Sequence, residues 1–368
     1  MAGIENSNNE RLEYLDTIKS VAIFFVCFYH FNTLSSNFLD NPSLTTYFHY
    51  FITGVASAGV PIFFLVSGAL MLNRGYDLKK HIKKSINISI LTIVWAVITL
   101  VILIPIFNDS YNFISFAEAL WNWKQQRINH LWYLPTLVII YLLFPIIKEI
   151  YDKKDKRILC FFLVTVFIFT FGNVFLSILA NLTEWFLNIN YLEGSFNFFN
   201  IFNPFDGFYA YSVVYFIVGG LLLTWLKNDK VKYSNILLLF TVAFTTTLLF
   251  LYGIVLSFSN NKVYDTVWGG YDTIMTLIMA LCIFVLASKG KIRNLAFAKL
   301  IKIIGTNTLG IYFLHVIVGS FLMEYYVLLP YNHNIFLNLL FGILILMASL
   351  LIALLLKKIP IVNRLFRI

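Results

Sequence analysis

The chain has 368 residues, 60% of them hydrophobic and only 12% charged, with a formal net charge of +9. Soluble domains carry roughly 25% charged residues, so the composition excludes a soluble globular domain. Runs of about 18 or more mostly apolar residues recur along it, each long enough to cross a bilayer as a helix.

In lipid the backbone must satisfy its own hydrogen bonds, which leaves helices or closed barrels. Runs such as SINISILTIVWAVITLVILIPIF (85–107) lack the alternation of a barrel strand. The fold class expected is an all-α polytopic membrane protein. Ten spans are expected, at roughly 17–36, 50–73, 84–107, 131–149, 158–182, 207–226, 235–257, 268–288, 304–323 and 334–356.

The N-terminal stretch MAGIENSNNERLEYLD is polar and acidic. It is not the basic n-region of a cleaved signal peptide, so residues 1–16 are expected to be a cytoplasmic segment and the first apolar run to be retained. That run contains KSVAIFFVCFYHFN, with Lys19 at one end and His30 near the other. At about 100° per residue, Lys19 and His30 fall about 20° from whole turns, and Asp16 and His30 about 40°. All three lie on one stripe, with a rise of ~16 Å from Lys19 to His30. Intramembrane ionisable residues face a bundle interior or a cavity. His30 is then either a structural histidine hydrogen-bonded between helices or a working group, and Lys19 either lines the same cavity or snorkels to the interface.

GVPIFFLVSGALML (59–72) carries Gly59, Pro61, Ser67 and Gly68. Small residues there allow close helix packing, and no base is evident that would make Ser67 a nucleophile. The following NRGYDLKKHIKKS is densely basic, suited to anionic headgroups or to a phosphate-bearing cytoplasmic ligand. FISFAEALWNW (113–123) reads as an amphipathic helix in the interface. NHLWYLPTLVIIYLLFP sets His130, Trp132 and Tyr133 at the outer end of a span, where Trp and Tyr commonly anchor and His130 is open to solvent. GTNTLGIYFLHVIV carries His315 about 15 Å from its inner end, near the depth of His30, with Tyr312 on a neighbouring face. Two histidines at similar depth on different helices can share a cavity, or each can hold a structural hydrogen bond. Cys27, Cys160 and Cys282 have no metal-like spacing, so buried free thiols and no metal site are expected.

With the N-terminus cytoplasmic, all of the 27 basic residues but Lys124, Arg127 and Lys262 fall on inner segments. This lopsided split orients the chain with both termini in the cytoplasm. It also accounts for the basic charge without a nucleic-acid partner; the bilayer itself is the expected partner.

RLEYLDTIKSVAIFFVCFYH resembles the opening of the acyltransferase-3 integral membrane proteins, whose Arg, Leu-Asp, Arg/Lys and His positions match Arg11, Asp16, Lys19 and His30. GVPIFFLVSGALML, HLWYLPTLVIIYLLFP, YFIVGGLLL and NTLGIYFLH continue the resemblance in the family's order, from residue 11 to about 320. The resemblance implies a ten-span O-acyltransferase domain in the bacterial cytoplasmic membrane. It would move an acyl group, commonly acetyl, from cytoplasmic acyl-CoA to a hydroxyl of a cell-surface or lipid-linked carbohydrate. His30 matches the family's essential histidine and would act as general base, while Tyr312 or His315 would stabilise the oxyanion or orient the acceptor. Asp16 would orient Lys19 or Arg11. The CoA phosphates would lie near Lys19, Arg74, Lys80, Lys83 and Lys84. These depart from the family's Arg-x-x-Arg, and lysine lacks arginine's bidentate fork. His130 and Trp132 would meet the carbohydrate or glycolipid acceptor. The esterase-like domain fused to many relatives is not expected here. A second reading keeps the fold but not the chemistry: a related membrane domain fused to a serine racemase suggests a small-molecule carrier, for an amino acid such as serine, using the same histidines.

Overall fold

A computed structural model describes residues 13–31, 37–122, 127–189, 202–205, 209–228, 233–290, 292–330 and 332–366. Residues 1–12, Arg11 among them, and residues 190–201 lie outside them. Among the described residues there is no strand. The long helices are α1 (Glu13–His30), α2 (Leu44–Val55), α3 (Gly59–Leu72), α4 (Leu78–Ile106), α5 (Phe113–Asn122), α6 (Tyr133–Asp152), α7 (Arg157–Phe167), α8 (Asn173–Leu187), α9 (Tyr211–Lys227), α10 (Asn235–Ser259), α11 (Ile274–Lys289), α12 (Leu295–Thr306), α13 (Thr308–Tyr326) and α14 (Ile335–Leu356). Among the described residues, seven helical stretches are long and apolar enough to cross a membrane, counting α2–α3 and α7–α8 as one each. α9 and α11 are apolar but shorter.

Every expected span falls on a helix, but several boundaries move for local reasons. The first helix ends at His30, which makes the histidine its last residue; positions 32–36 of the expected span lie outside the described residues. The second span begins at Leu44, where Ser43 and Thr46 form a reciprocal capping box, and a 3-10 turn at Ala56–Ala58 splits it from α3. The ninth breaks at Asn307, leaving α12 as a separate short helix. The eighth starts six residues late: Thr273 caps α11 by accepting from the Thr276 amide, and Trp268–Gly270 form a 3-10 turn outside the helix. The amphipathic stretch at 113–122 is helical, with Phe113 and Trp121 exposed.

α1 is the centre of the bundle. Ile18, Ala22, Ile23 and Cys27 are fully buried, because small residues on the surrounding helices bring their backbones close. A Cβ on Gly305 of α12 would lie 2.5 Å from the Asp16 carbonyl oxygen, and one on Gly342 of α14 3.2 Å from the Phe28 Cα. The closest crossing joins α3 and α9. A Cβ on Gly68 would come within 1.7 Å of the Phe216 carbonyl oxygen, and one on Gly219 within 2.0 Å of the Leu65 carbonyl oxygen.

Polar side chains complete this packing where helices end or lose a donor. Pro145 within α6 has no N–H, which leaves the carbonyl four residues earlier without its helical partner. That carbonyl, Tyr141 O, accepts from His81 Nε2 of α4 at 2.7 Å. The last carbonyl of α3, Leu72 O, accepts from Lys148 Nζ at 3.0 Å, and the ammonium also pairs with Asp152 at 2.6 Å. Lys148 is buried and sits where a cation complements a helix C-terminus. Cys27 and Cys282 are buried as expected, whereas Cys160 is exposed on α7; all three are free.

Candidate active site

Three histidines from three parts of the chain converge at one end of α1. The ring centroids of His30 and His315 are 5.1 Å apart, those of His130 and His315 5.6 Å, and those of His30 and His130 6.4 Å. His30 comes from the last position of α1, His315 from the second turn of α13, and His130 from a short 3-10 turn, Asn129–Trp132, that leads into α6. The Tyr312 hydroxyl donates to the His130 carbonyl oxygen at 2.5 Å, tying α13 to that turn. His315 Nδ1 donates to the Tyr312 carbonyl oxygen at 2.6 Å. A carbonyl only accepts, so the neutral ring carries its proton on Nδ1 and leaves Nε2 as a bare acceptor. His315 Nε2 and His130 Nε2 are both buried without a hydrogen-bond partner, and buried polar atoms are rarely left so.

Beside the cluster lies a cavity of about 310 Å³. His30, His130, Trp132 and Tyr312 line it, together with Tyr29, Asn129, Trp268, Tyr271 and apolar residues of α1, α3 and the turn before α3. Among the described residues no lysine or arginine lines it. His315 packs behind His30 and His130 and is fully buried. Among the described residues no group of three or more His, Cys, Asp or Glu side chains is arranged to hold a metal ion.

His130 and Trp132 are placed differently from the sequence expectation. His130 is 5% exposed and Trp132 7%, so neither a solvent-facing histidine nor a membrane anchor describes them. Tyr133 packs its ring on Phe64 at 4.9 Å. The reason is the 3-10 turn, which folds the start of the span into the bundle.

The basic residues lie away from this cluster. Asp16 is buried and pairs with Lys19 at 2.8 Å, three residues along the same face of α1; Lys19 keeps 21% of its side chain exposed. Arg74, Lys80 and Lys83 are exposed on the segment after α3, while Lys84 is half-buried with its ammonium 5.4 Å from the Tyr141 ring centroid. α3 runs from the cavity, at Val60, to this basic segment. From Val60 to Arg74 is about 21 Å of helical rise.

Tyr29, Asn129, Trp268 and Tyr271 escaped the sequence reading. Tyr29 is the neighbour of His30, but its orientation depends on Asp265, whose Oδ2 accepts from its hydroxyl. Trp268 and Tyr271 lay hidden inside what the apolar run presented as a span. The pair of glycines in VWGGYD was the available signal of a turn.

Outside the spans, Arg127 forms a bidentate pair with Asp109 at 2.7 and 3.0 Å and stacks on the Phe107 ring at 3.6 Å. This anchors the chain just before the His130 turn. The hydrogen bonds and charge of Arg127 hold the Asp109 carboxyl below the usual carboxylate range.

Residues 12–358 match the Acyltransferase domain family model Acyl_transf_3. The chain therefore belongs to the acyltransferase-3 family, over nearly its whole length. Family and helices together define a multi-pass membrane acyltransferase. Neither the curated proteins nor the solved structures contain a significant match.

Proposed function

We propose that this protein is a membrane-bound O-acyltransferase of the bacterial cytoplasmic membrane, with ten spans and both termini inside. It moves an acyl group, acetyl in the first instance, from cytoplasmic acyl-CoA to a hydroxyl of a cell-surface or lipid-linked carbohydrate. The observation that carries the reading is the position of His30: on the central helix, lining a cavity, eleven residues from the Lys19–Asp16 pair.

In this reading neutral His30 accepts the proton of the acceptor hydroxyl as its oxygen attacks the thioester carbonyl. The tetrahedral intermediate collapses with cleavage of the C–S bond. The thiolate of CoA leaves and takes the proton from the imidazolium, giving an ester and free CoA. The Asn129 amide and the ring of His130 are the polar groups available to orient the acceptor or meet developing charge, a preorganised donor aimed at an oxyanion contributing roughly 3–4 kcal/mol. The Tyr312 oxygen and His315 Nε2, with the Tyr312 O–H and His315 Nδ1–H committed to carbonyls, would act there as acceptors. The phosphates of CoA would meet Lys19, Arg74, Lys80, Lys83 and Lys84 as point charges.

Transfer of labelled acetyl from acetyl-CoA by purified protein in liposomes tests the reading. The His30→Ala variant is expected to lose activity while keeping its melting temperature; transfer at the wild-type rate would overturn the mechanism. A carrier of solutes such as serine would be stabilised against heat by its solute and not by acetyl-CoA, since a native-state ligand raises the melting temperature.

A further inference from the structure

The turn that carries Trp268 is held to α1 by one carboxylate. Asp265 Oδ2 accepts from the hydroxyl of Tyr29, the residue beside His30. Its Oδ1 accepts from the amides of Val267 and Trp268, each at 3.0 Å, and its carbonyl accepts from the Gly269 amide at 2.9 Å. At the far end of the turn, the Tyr215 hydroxyl donates to the Tyr271 carbonyl oxygen at 2.9 Å. The turn is thus fixed at both ends, and its two large rings are presented to the cavity.

Those rings meet Trp132. Trp132 and Trp268 have centroids 5.1 Å apart at 79°, and Trp132 and Tyr271 5.5 Å apart at 32°. Trp132 and Tyr271 are buried, while Trp268 is 42% exposed at the rim. A wall of aromatic faces with a few hydrogen-bonding groups is the composition of a site for a small organic ligand. The C–H face of a sugar ring packs on such a wall. Its charge environment is equally selective. Among the described residues no lysine or arginine lines the cavity, and the carboxylate that fixes the rim, that of Asp265, is itself exposed. An anionic ring entering here would meet a like charge with no compensating cation among the described lining residues, which discriminates as effectively as an added attraction.

Resting on the transferase reading above, we infer that Asp265 is a positioning residue which locks Trp268 and Tyr271, with Trp132, into the acceptor site beside His30, and that this site selects a neutral hydroxylated sugar ring over an acidic one. Tyr29 is the link through which the turn is registered to the catalytic helix.

Isothermal titration of the detergent-purified full chain with two probes tests this: a neutral tetramer of N-acetylglucosamine and a tetragalacturonate. Wild type is expected to bind the neutral probe at least about tenfold more tightly than the acidic one. Trp268→Ala and Tyr29→Phe should each raise the Kd for the neutral probe about tenfold, the size of a lost aromatic contact. Asp265→Asn keeps an oxygen for the two turn amides and an amide that the Tyr29 hydroxyl can accept from. It should therefore hold the neutral Kd near the wild-type value, while tightening the acidic probe. Equal affinity for the two probes, no binding of either, or a Kd unmoved by Trp268→Ala would each overturn the inference. Acetyl-CoA turnover measured on the same preparations separates the two readings. Sugar binding that follows this pattern without acetyl transfer removes the transferase reading and leaves the wall. Acetyl transfer to a hydroxyl with an acceptor KM indifferent to Trp268→Ala and Tyr29→Phe removes the wall and leaves the transferase.

Discussion

The ring of His315 lies 5.1 Å from that of His30, tilted by 53°, with its Nδ1–H committed to the Tyr312 carbonyl oxygen. The hydrogen bond is made within α13 itself, so the helix that positions the ring also sets its tautomer. What remains to the cluster is Nε2, an acceptor with no partner of its own.

This separates the two nitrogens experimentally. Asn at 315 mimics Nδ1 and keeps the bond to Tyr312, whereas Gln mimics Nε2. If Nε2 is the working atom, His315→Asn should lower kcat about 10²-fold with little change in melting temperature, and His315→Gln should recover part of it. The reverse ranking would make His315 a structural residue.

Loss of His30 should be more severe. Removing a general base costs on the order of 10²–10⁴ in rate, and His30→Ala should fall in that range by labelled-acetyl transfer. Because the ring lines a cavity, the folded state should survive the change, as read by an unshifted melting temperature.

His81 and Pro145 should be thermodynamically coupled. His81→Ala strands the Tyr141 carbonyl that Pro145 leaves without a helical donor, a cost of about 1–3 kcal/mol for an unsatisfied buried acceptor. In a Pro145→Ala background the helix supplies its own N–H, and the same substitution should cost less. A double-mutant cycle on unfolding, with no coupling between the two sites, would refute the assignment.

The α3–α9 crossing should not admit a methyl group. Gly68→Ala sets a Cβ against the backbone of Phe216, which cannot swing away as a side chain does, so the helices must separate at a cost of about 1–3 kcal/mol. Gly75→Ala, where nothing lies within 4 Å, is the control and should leave the melting temperature unchanged.

The Asp109–Arg127 pair predicts a pH dependence of defined sign. The folded-state carboxyl titrates below its ordinary value because Arg127 hydrogen-bonds and attracts its charged form. Its stabilising contribution is therefore present above the ordinary carboxylate pKa of about 3.9 and is lost as pH falls through the lowered value. The difference in melting temperature between wild type and Asp109→Asn should be present at neutral pH and shrink in acid; a difference constant with pH would rule the pair out. Both side chains are accessible to solvent, so added salt should also diminish it.

Much of this was carried by the one-dimensional pattern. The helical class, and the helix that underlies each apolar run, follow from apolar run length, because a backbone in lipid has few ways to satisfy its hydrogen bonds. The stripe of Asp16, Lys19 and His30 follows from helical periodicity, and Asp16 does reach Lys19 along it. The motifs around these residues pointed to the family that matches residues 12–358. What the pattern could not carry is anything made by departure from it. A 3-10 turn folds His130 and Trp132 inward where an outer membrane interface was expected. A turn capped by Asp265 pulls Trp268 and Tyr271 out of an apparent span and into the cavity wall. Hydrophobicity is a property of composition and survives in the sequence. The direction a side chain faces at a helix end depends on caps and long-range hydrogen bonds such as Tyr29 to Asp265 and Tyr312 to His130. Only the assembled bundle brings those partners together.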